Sequence, residues 1–69
     1  MEIKFAEKLK ILRTEFGYTQ QELATKLNTT QRKVFYWESK KTEPDLKSLL
    51  DISILFNVSI DYLIGKIDY

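Results

Sequence analysis

An all-α fold of five short helices is what this 69-residue sequence predicts. Three observations point there. Apolar residues recur at the three- and four-residue spacing of a helix face along most of the chain. Gly17, Asn28, Pro44, Asn57 and Gly65 punctuate those runs, and each suits a turn better than a helix interior. No stretch of four or more residues alternates convincingly with the period of two that a half-buried strand requires.

Each element has its own justification. Helix one is expected over residues 3–16, where Phe5, Leu9, Leu12 and Phe16 share one face and Gly17 stands where a left-handed cap is wanted. Helix two, residues 20–27, opens on the capping box Thr19-Gln20-Gln21-Glu22 and turns Leu23, Ala24 and Leu27 inward. Asn28 follows, the type of residue that visits left-handed backbone most readily after glycine. Either Thr29 or Thr30 can then cap helix three, residues 31–39. Ser39 to Pro44 reads as a loop. Asp45 opens helix four, residues 46–56, where its charge suits the helix dipole. Leu46, Leu49, Ile52 and Leu55, with Leu50 and Phe56 beside them, give that helix a wide apolar stripe. Asn57 ends it, and Ser59 caps a last helix, residues 60–64, with Leu63 inward and Gly65 after it. Residues 1–69 are read as a single domain.

Length and composition exclude several classes of function. A chain this short buries only about 60% of the surface its unfolded form exposes. It contains neither cysteine nor histidine, so neither disulfides nor a zinc site can staple it. Stability must come from an efficient core or from an oligomer interface. No apolar run approaches the roughly 20 residues of a membrane span. The N-terminus shows no signal-peptide pattern, so a cytoplasmic protein is expected. Catalysis has no candidate machinery: there is no glycine-rich phosphate loop, and Ser39, Ser48, Ser53 and Ser59 lack an evident base. Neither a cofactor nor a metal is expected.

The net charge of +1 is uninformative, but its distribution is not. Residues 29–47 carry five basic and three acidic side chains, whereas residues 48–69 carry one basic and three acidic. Helices two and three, separated by Asn28-Thr29-Thr30, make a tight corner of the helix-turn-helix kind. On a helical wheel with Val34 at the centre of the inward face, Trp37, Glu38 and Thr30 fall inward. Arg32 and Tyr36 point away, with Lys33 and Phe35 beside them and Gln31 at the edge. Arg32 and Lys33 also stand in the first helical turn, where the dipole disfavours cations by a few tenths of a kcal/mol each. A solvated basic face would tolerate that arrangement. An external phosphate would resolve it, by meeting both the side chains and the free N–H groups.

With those residues in view, the sequence resembles the lambda-repressor-like, Cro-type (XRE) helix-turn-helix proteins from about Phe5 to Gly65. The resemblance rests on Leu9, Leu12, Arg13, Gly17, Thr19-Gln20-Gln21-Glu22-Leu23-Ala24 and Leu27. It continues through Thr30-Gln31, Val34, Trp37-Glu38, Pro44, Leu49 and the closing run Asn57-Val58-Ser59-Ile60-Asp61-Tyr62-Leu63-Ile64-Gly65. It implies a sequence-specific regulator of transcription, in the first instance a repressor, bound to a double-stranded operator. Gln31, Arg32 and Tyr36 would fall at base edges and Thr19, Gln20 and Thr30 at the DNA backbone. Arg13 and Glu38 would form an ion pair joining helices one and three. Three positions depart from the family pattern. Asn28 stands where glycine is usual, as does Ser39 after the Trp-Glu pair, which leaves the aim of Lys40 and Lys41 open. Phe35 replaces a commonly polar residue and is open to two readings, contact with a thymine methyl or packing on a neighbouring loop.

The physics of nucleic-acid binding supplies the rest of the expectation. Lys33, Lys40 and Lys41, with Lys47 as a further candidate, would contribute salt-sensitive attraction to phosphates. Gln31 has the groups to pair with adenine N6 and N7, and Arg32 with guanine O6 and N7. Such a small module gains useful specificity as a homodimer on a palindromic site. Ile60, Tyr62, Ile64, Ile67 and Tyr69 are candidates for the dimer contact or, alternatively, for closing the base of the monomer core. The competing function is a helical protein-interaction module of antitoxin-like or anti-repressor-binding type, using the aromatic run Phe35-Tyr36-Trp37.

Overall fold

In the computed structural model, which describes residues 3–67, local side-chain chemistry sets where each helix begins. Thr19 closes a full capping box: its hydroxyl accepts the Glu22 N–H at 3.0 Å and Glu22 Oε1 accepts the Thr19 N–H at 2.9 Å. Thr30, not Thr29, caps the third helix by accepting the Lys33 N–H at 3.2 Å. Asp45 and Ser59 do the same for the Ser48 and Tyr62 N–H groups. The helices are α1 (Phe5–Glu15), α2 (Gln20–Lys26), α3 (Gln31–Glu38), α4 (Leu46–Phe56) and α5 (Ile60–Ile64). α1 starts two residues later than expected because Lys4 leaves the helical region to donate its N–H to the Ile64 carbonyl at 3.0 Å. That bond ties the two ends of the fold together.

Helix ends are set by left-handed residues. Gly17, Asn28, Asn57 and Gly65 all take positive φ. At the end of α3 the left-handed residue is Lys40 (φ +66°), while Ser39 stays right-handed (φ −88°). The turn that the resemblance placed at Ser39 therefore lies one residue later. It is a Schellman closure, with the Lys41 N–H donating to the Tyr36 carbonyl at 2.9 Å and the Lys40 N–H to the Trp37 carbonyl at 3.3 Å. Gly65 has a second constraint: a Cβ there would come within 2.9 Å of the Lys4 Cβ.

One apolar core joins all five helices. Phe5, Leu9 and Leu12 of α1 meet Leu23 and Ala24 of α2, Val34 and Trp37 of α3, Ile52 and Phe56 of α4, and Leu63 of α5. Phe5 packs edge-on against Trp37 with ring centroids 6.4 Å apart. Phe16, just beyond α1, is half out of the core but sets its ring edge-on to Phe56 at 4.8 Å. The resulting body measures 29 × 23 × 20 Å.

Inward expectations fail at three residues, Leu46, Leu50 and Thr30. Leu46 is 86% exposed and Leu50 is also exposed, because α4 turns Leu49, Ile52, Ser53 and Phe56 to the core and leaves its first turn uncovered. With Ile54 they form an outward apolar row at i, i+4 and i+8. Thr30 is exposed as well: as a cap with extended backbone it lies outside the helix on whose wheel it was placed.

Candidate nucleic-acid interface

The α2–α3 corner is built by backbone bonds at its elbow, the Asn28 N–H to the Thr25 carbonyl at 3.2 Å and the Thr29 N–H to the Ala24 carbonyl at 2.9 Å. Leu23 and Ala24 on one side and Val34 and Trp37 on the other lock the two helices to the core. The outer face of α3 is thereby held rigidly toward solvent.

Behind that face lies a polar bracket. Arg13 Nε donates to Glu38 Oε2 at 2.6 Å and a terminal Arg13 nitrogen to Glu38 Oε1 at 3.1 Å. The other terminal nitrogen donates to the Tyr18 carbonyl at 2.8 Å. The two side chains are only 13% and 6% exposed. This is a paired, bidentate, desolvated ion pair linking α1, the α1–α2 loop and the end of α3. Gln20, first residue of α2, donates its amide to Glu38 Oε1 at 3.2 Å, and its carbonyl oxygen accepts the Gln31 side-chain amide at 2.9 Å. Neither glutamine contact is foreseeable from spacing. They join residues 18 and 11 positions apart, and only the packing angle of α2 on α3 brings them together.

Gln31, Arg32, Lys33 and Phe35 are exposed along α3, and Tyr36 is half-buried beside them. The first turn of α3 contains no acidic residue to balance the dipole. Phe35 lies beside Tyr36 at 6.0 Å between centroids, and the Lys41 ammonium sits 4.6 Å from the Tyr36 ring centre. Arg32, Lys33 and Tyr36 also line a shallow groove toward Thr42, Glu43 and Ser48. Lys40 lies farther round, in an exposed ion pair with Glu7 at 3.2 Å. Lys47 pairs with Asp51 at 3.0 Å on α4. Thr19 and Thr30 are spent as caps, yet both remain exposed at helix starts.

Of the late apolar residues, Ile60 is exposed, while Tyr62, Ile64 and Ile67 are half-buried. Tyr62 packs on the core and carries the Lys8 ammonium 4.8 Å over its ring. Tyr69 lies outside the described residues. The outward row Leu46, Leu50 and Ile54 adds exposed apolar surface that the sequence reading missed, although its i, i+4, i+8 register was a usable signal.

Two carboxyl groups sit below their ordinary range. The Thr19 N–H and hydroxyl hold Glu22 below 4.5. The Ser48 side chain and N–H hold Asp45 below 3.8. Both serve helix starts. Among the described residues no group of three or more acidic, histidine or cysteine side chains is placed to hold a metal. Nor is any helix there long and apolar enough to cross a membrane.

Comparison with known proteins agrees with this geometry. A helix-turn-helix family model matches residues 9–63. The HTH-type transcriptional regulator ImmR of Bacillus subtilis (strain 168) is 42% identical over 64 residues, covering 93% of this chain and 50% of ImmR. The chain spans about half the length of that relative. Among solved structures, a transcriptional regulator from Listeria innocua superposes with TM-score 0.90 at 36% identity, over 97% of this chain and 63% of that one. The P22 c2 repressor, solved in complex with a synthetic operator, gives TM-score 0.83 at 26% identity, over 88% of this chain and 92% of its own. The chain belongs to the helix-turn-helix family, as a lambda-repressor-like domain of Cro type whose motif is formed by α2 and α3.

Proposed function

We propose that this chain regulates transcription by binding a specific double-stranded DNA sequence with α3 in the major groove, acting as a repressor by occupying its operator. The observation that carries the reading is the first turn of α3, where Arg32 and Lys33 project into solvent at a positive helix end and the turn itself contains no acid. Phosphate is the ligand that this arrangement stabilises. Gln31, Arg32 and Tyr36, with Phe35 beside them, are assigned to base edges. Thr19, Gln20, Thr30, Lys33, Lys40 and Lys41 are assigned to the DNA backbone. The P22 c2 repressor supports the choice of ligand, since a close structural likeness holds an operator.

A homodimer on a palindromic operator is the assembly such a module needs, with two half-sites about one helical turn apart. Ile60 and the α4 row Leu46, Leu50 and Ile54 are the exposed apolar surface for pairing. The place of action is the cytoplasm.

Selection of bound sequences from random duplex DNA, followed by a salt titration on the best binder, tests the proposal. A near-palindromic site whose affinity falls steeply with salt is expected, because each phosphate contact adds about 0.9 to the logarithmic salt slope. Recovery of no sequence at low salt would sink it and leave the protein-interaction reading in its place.

A further inference from the structure

We propose that Glu38, although it faces away from the DNA, dictates which base Gln31 reads, by setting the polarity of a chain of hydrogen bonds that runs through Gln20. The inference rests on the base-reading role assigned to Gln31 above. It follows from what each group is able to donate.

An amide side chain presents a carbonyl oxygen on one edge and an NH₂ on the other, and rotation by half a turn exchanges them. Nothing intrinsic to Gln31 selects one orientation. Glu38 does. Its carboxylate accepts two hydrogen bonds from Arg13, at 2.6 and 3.1 Å, and an ionised carboxylate has no proton to donate. The Gln20 edge that faces Glu38 Oε1, at 3.2 Å, is therefore the NH₂. That turns the Gln20 carbonyl oxygen toward α3, where the group meeting it at 2.9 Å must in turn be the Gln31 NH₂. One Gln31 proton is used in that bond. The exposed remainder of the side chain is one N–H donor and one carbonyl acceptor.

A donor beside an acceptor complements the major-groove edge of adenine, with its N7 acceptor and N6 donor. It opposes guanine, whose N7 and O6 are both acceptors and would set O6 against the Gln31 carbonyl oxygen. If Gln20 were reversed, Gln31 would turn its carbonyl inward and offer two donors, the pattern suited to guanine. The buried ion pair thus does two things: it joins α1 to α3, and it makes Gln31 an adenine reader. Glu38 is a positioning residue in this scheme, acting through Gln20 and touching no base.

The test uses four duplexes that differ only at the base pair whose preference Gln31→Ala abolishes, with the parent chain and the Gln20→Met, Glu38→Gln and Arg13→Lys variants. Thermal unfolding midpoints are recorded for all. Gln20→Met cuts the relay without touching the ion pair, so it remains informative even where Glu38→Gln folds poorly. The parent is expected to prefer adenine over guanine by about tenfold or more at that position. Gln20→Met and Glu38→Gln should shrink that preference to about twofold or reverse it, leaving the ranking at other positions intact. Arg13→Lys, which retains the Glu38 acceptor, should lower affinity for all four duplexes alike and keep the adenine preference. A purely structural role for Glu38 predicts something different: parallel profiles for every variant, displaced together. That result would overturn the relay while leaving base reading by Gln31 standing. A parent whose affinity is indifferent to every base pair would overturn the base-reading role and the relay with it.

Discussion

Arg13 and Glu38 show what a single contact can hold together. Every nitrogen of the guanidinium is engaged, and both carboxylate oxygens accept from it. Removing one partner strands the other away from water, which costs far more than the pair contributes net. Glu38→Ala is expected to lower folding stability by about 3 kcal/mol, measured by chemical denaturation; a parental midpoint would mean that solvent reaches Arg13 after all. Lys40 makes the opposite case. A lysine at φ +66° carries a left-handed penalty of about 1 kcal/mol, against which its side chain sets an exposed ion pair with Glu7. Lys40→Gly should therefore hold or raise the unfolding midpoint while weakening DNA binding through the lost cation. A midpoint well below the parental one would show that the Glu7 contact outweighs the backbone term.

At the scale of the element, α3 is a helix that gives up some stability for its ligand. Arg32 and Lys33 oppose the dipole in the first turn, with Thr30 as the compensating cap. Arg32→Ala should then move two measurements in opposite directions. Stability rises by a few tenths of a kcal/mol. Specific binding falls by about 1–3 kcal/mol, with relaxed preference at one base pair. If both quantities stay at parental values, Arg32 is simply a solvated side chain. The starts of α2 and α4 behave differently, because their acids are favoured by the helix end. Glu22 and Asp45 are more acidic folded than unfolded, so their contribution is fully present above the ordinary carboxyl values of 4.5 and 3.8. It fades as pH falls through the lower folded values. Asp45→Asn keeps a capping oxygen but has no charge to titrate. Its unfolding midpoint should fall less steeply than the parental one below about pH 4; superimposable curves would place the acid sensitivity elsewhere.

For the molecule as a whole, the question is how so small a body becomes selective. A single α3 spans few base pairs, and affinity on a palindrome depends on the second copy. Ile60→Asp is expected to weaken binding to the full palindrome by about tenfold or more while leaving binding to an isolated half-site unchanged. Equal losses on both duplexes would remove Ile60 from the pairing surface. The same scale explains the strict requirement at Gly65. Its left-handed φ and its approach to Lys4 let the chain close the base of the core, where the Lys4–Ile64 bond brings the first and last helices together.

What was legible in the sequence, and what was not, follows the range of the interactions. Helix starts depend on bonds spanning three residues, so Thr19-Gln20-Gln21-Glu22, Asp45 and Ser59 declare themselves in one dimension. The core face repeats with the helical period, which is why Phe5, Leu9, Leu12, Val34, Trp37, Ile52 and Leu63 could be placed inward by counting. Counting failed at Leu46 and Leu50, because a stripe wider than the available cover leaves its edge in water, and neighbours alone decide which edge. The resemblance, for its part, placed the left-handed turn at the end of α3 on Ser39, whereas Lys40 takes it, a choice between adjacent positions that Lys40 and Lys41 settle by bonding back to Trp37 and Tyr36. The sequence by itself determined five amphipathic helices, their caps and the basic character of one of them. Only the tertiary structure decided that Glu38, Gln20 and Gln31 form a single line of hydrogen bonds, because their side chains share no local period and meet through the angle at which α2 crosses α3.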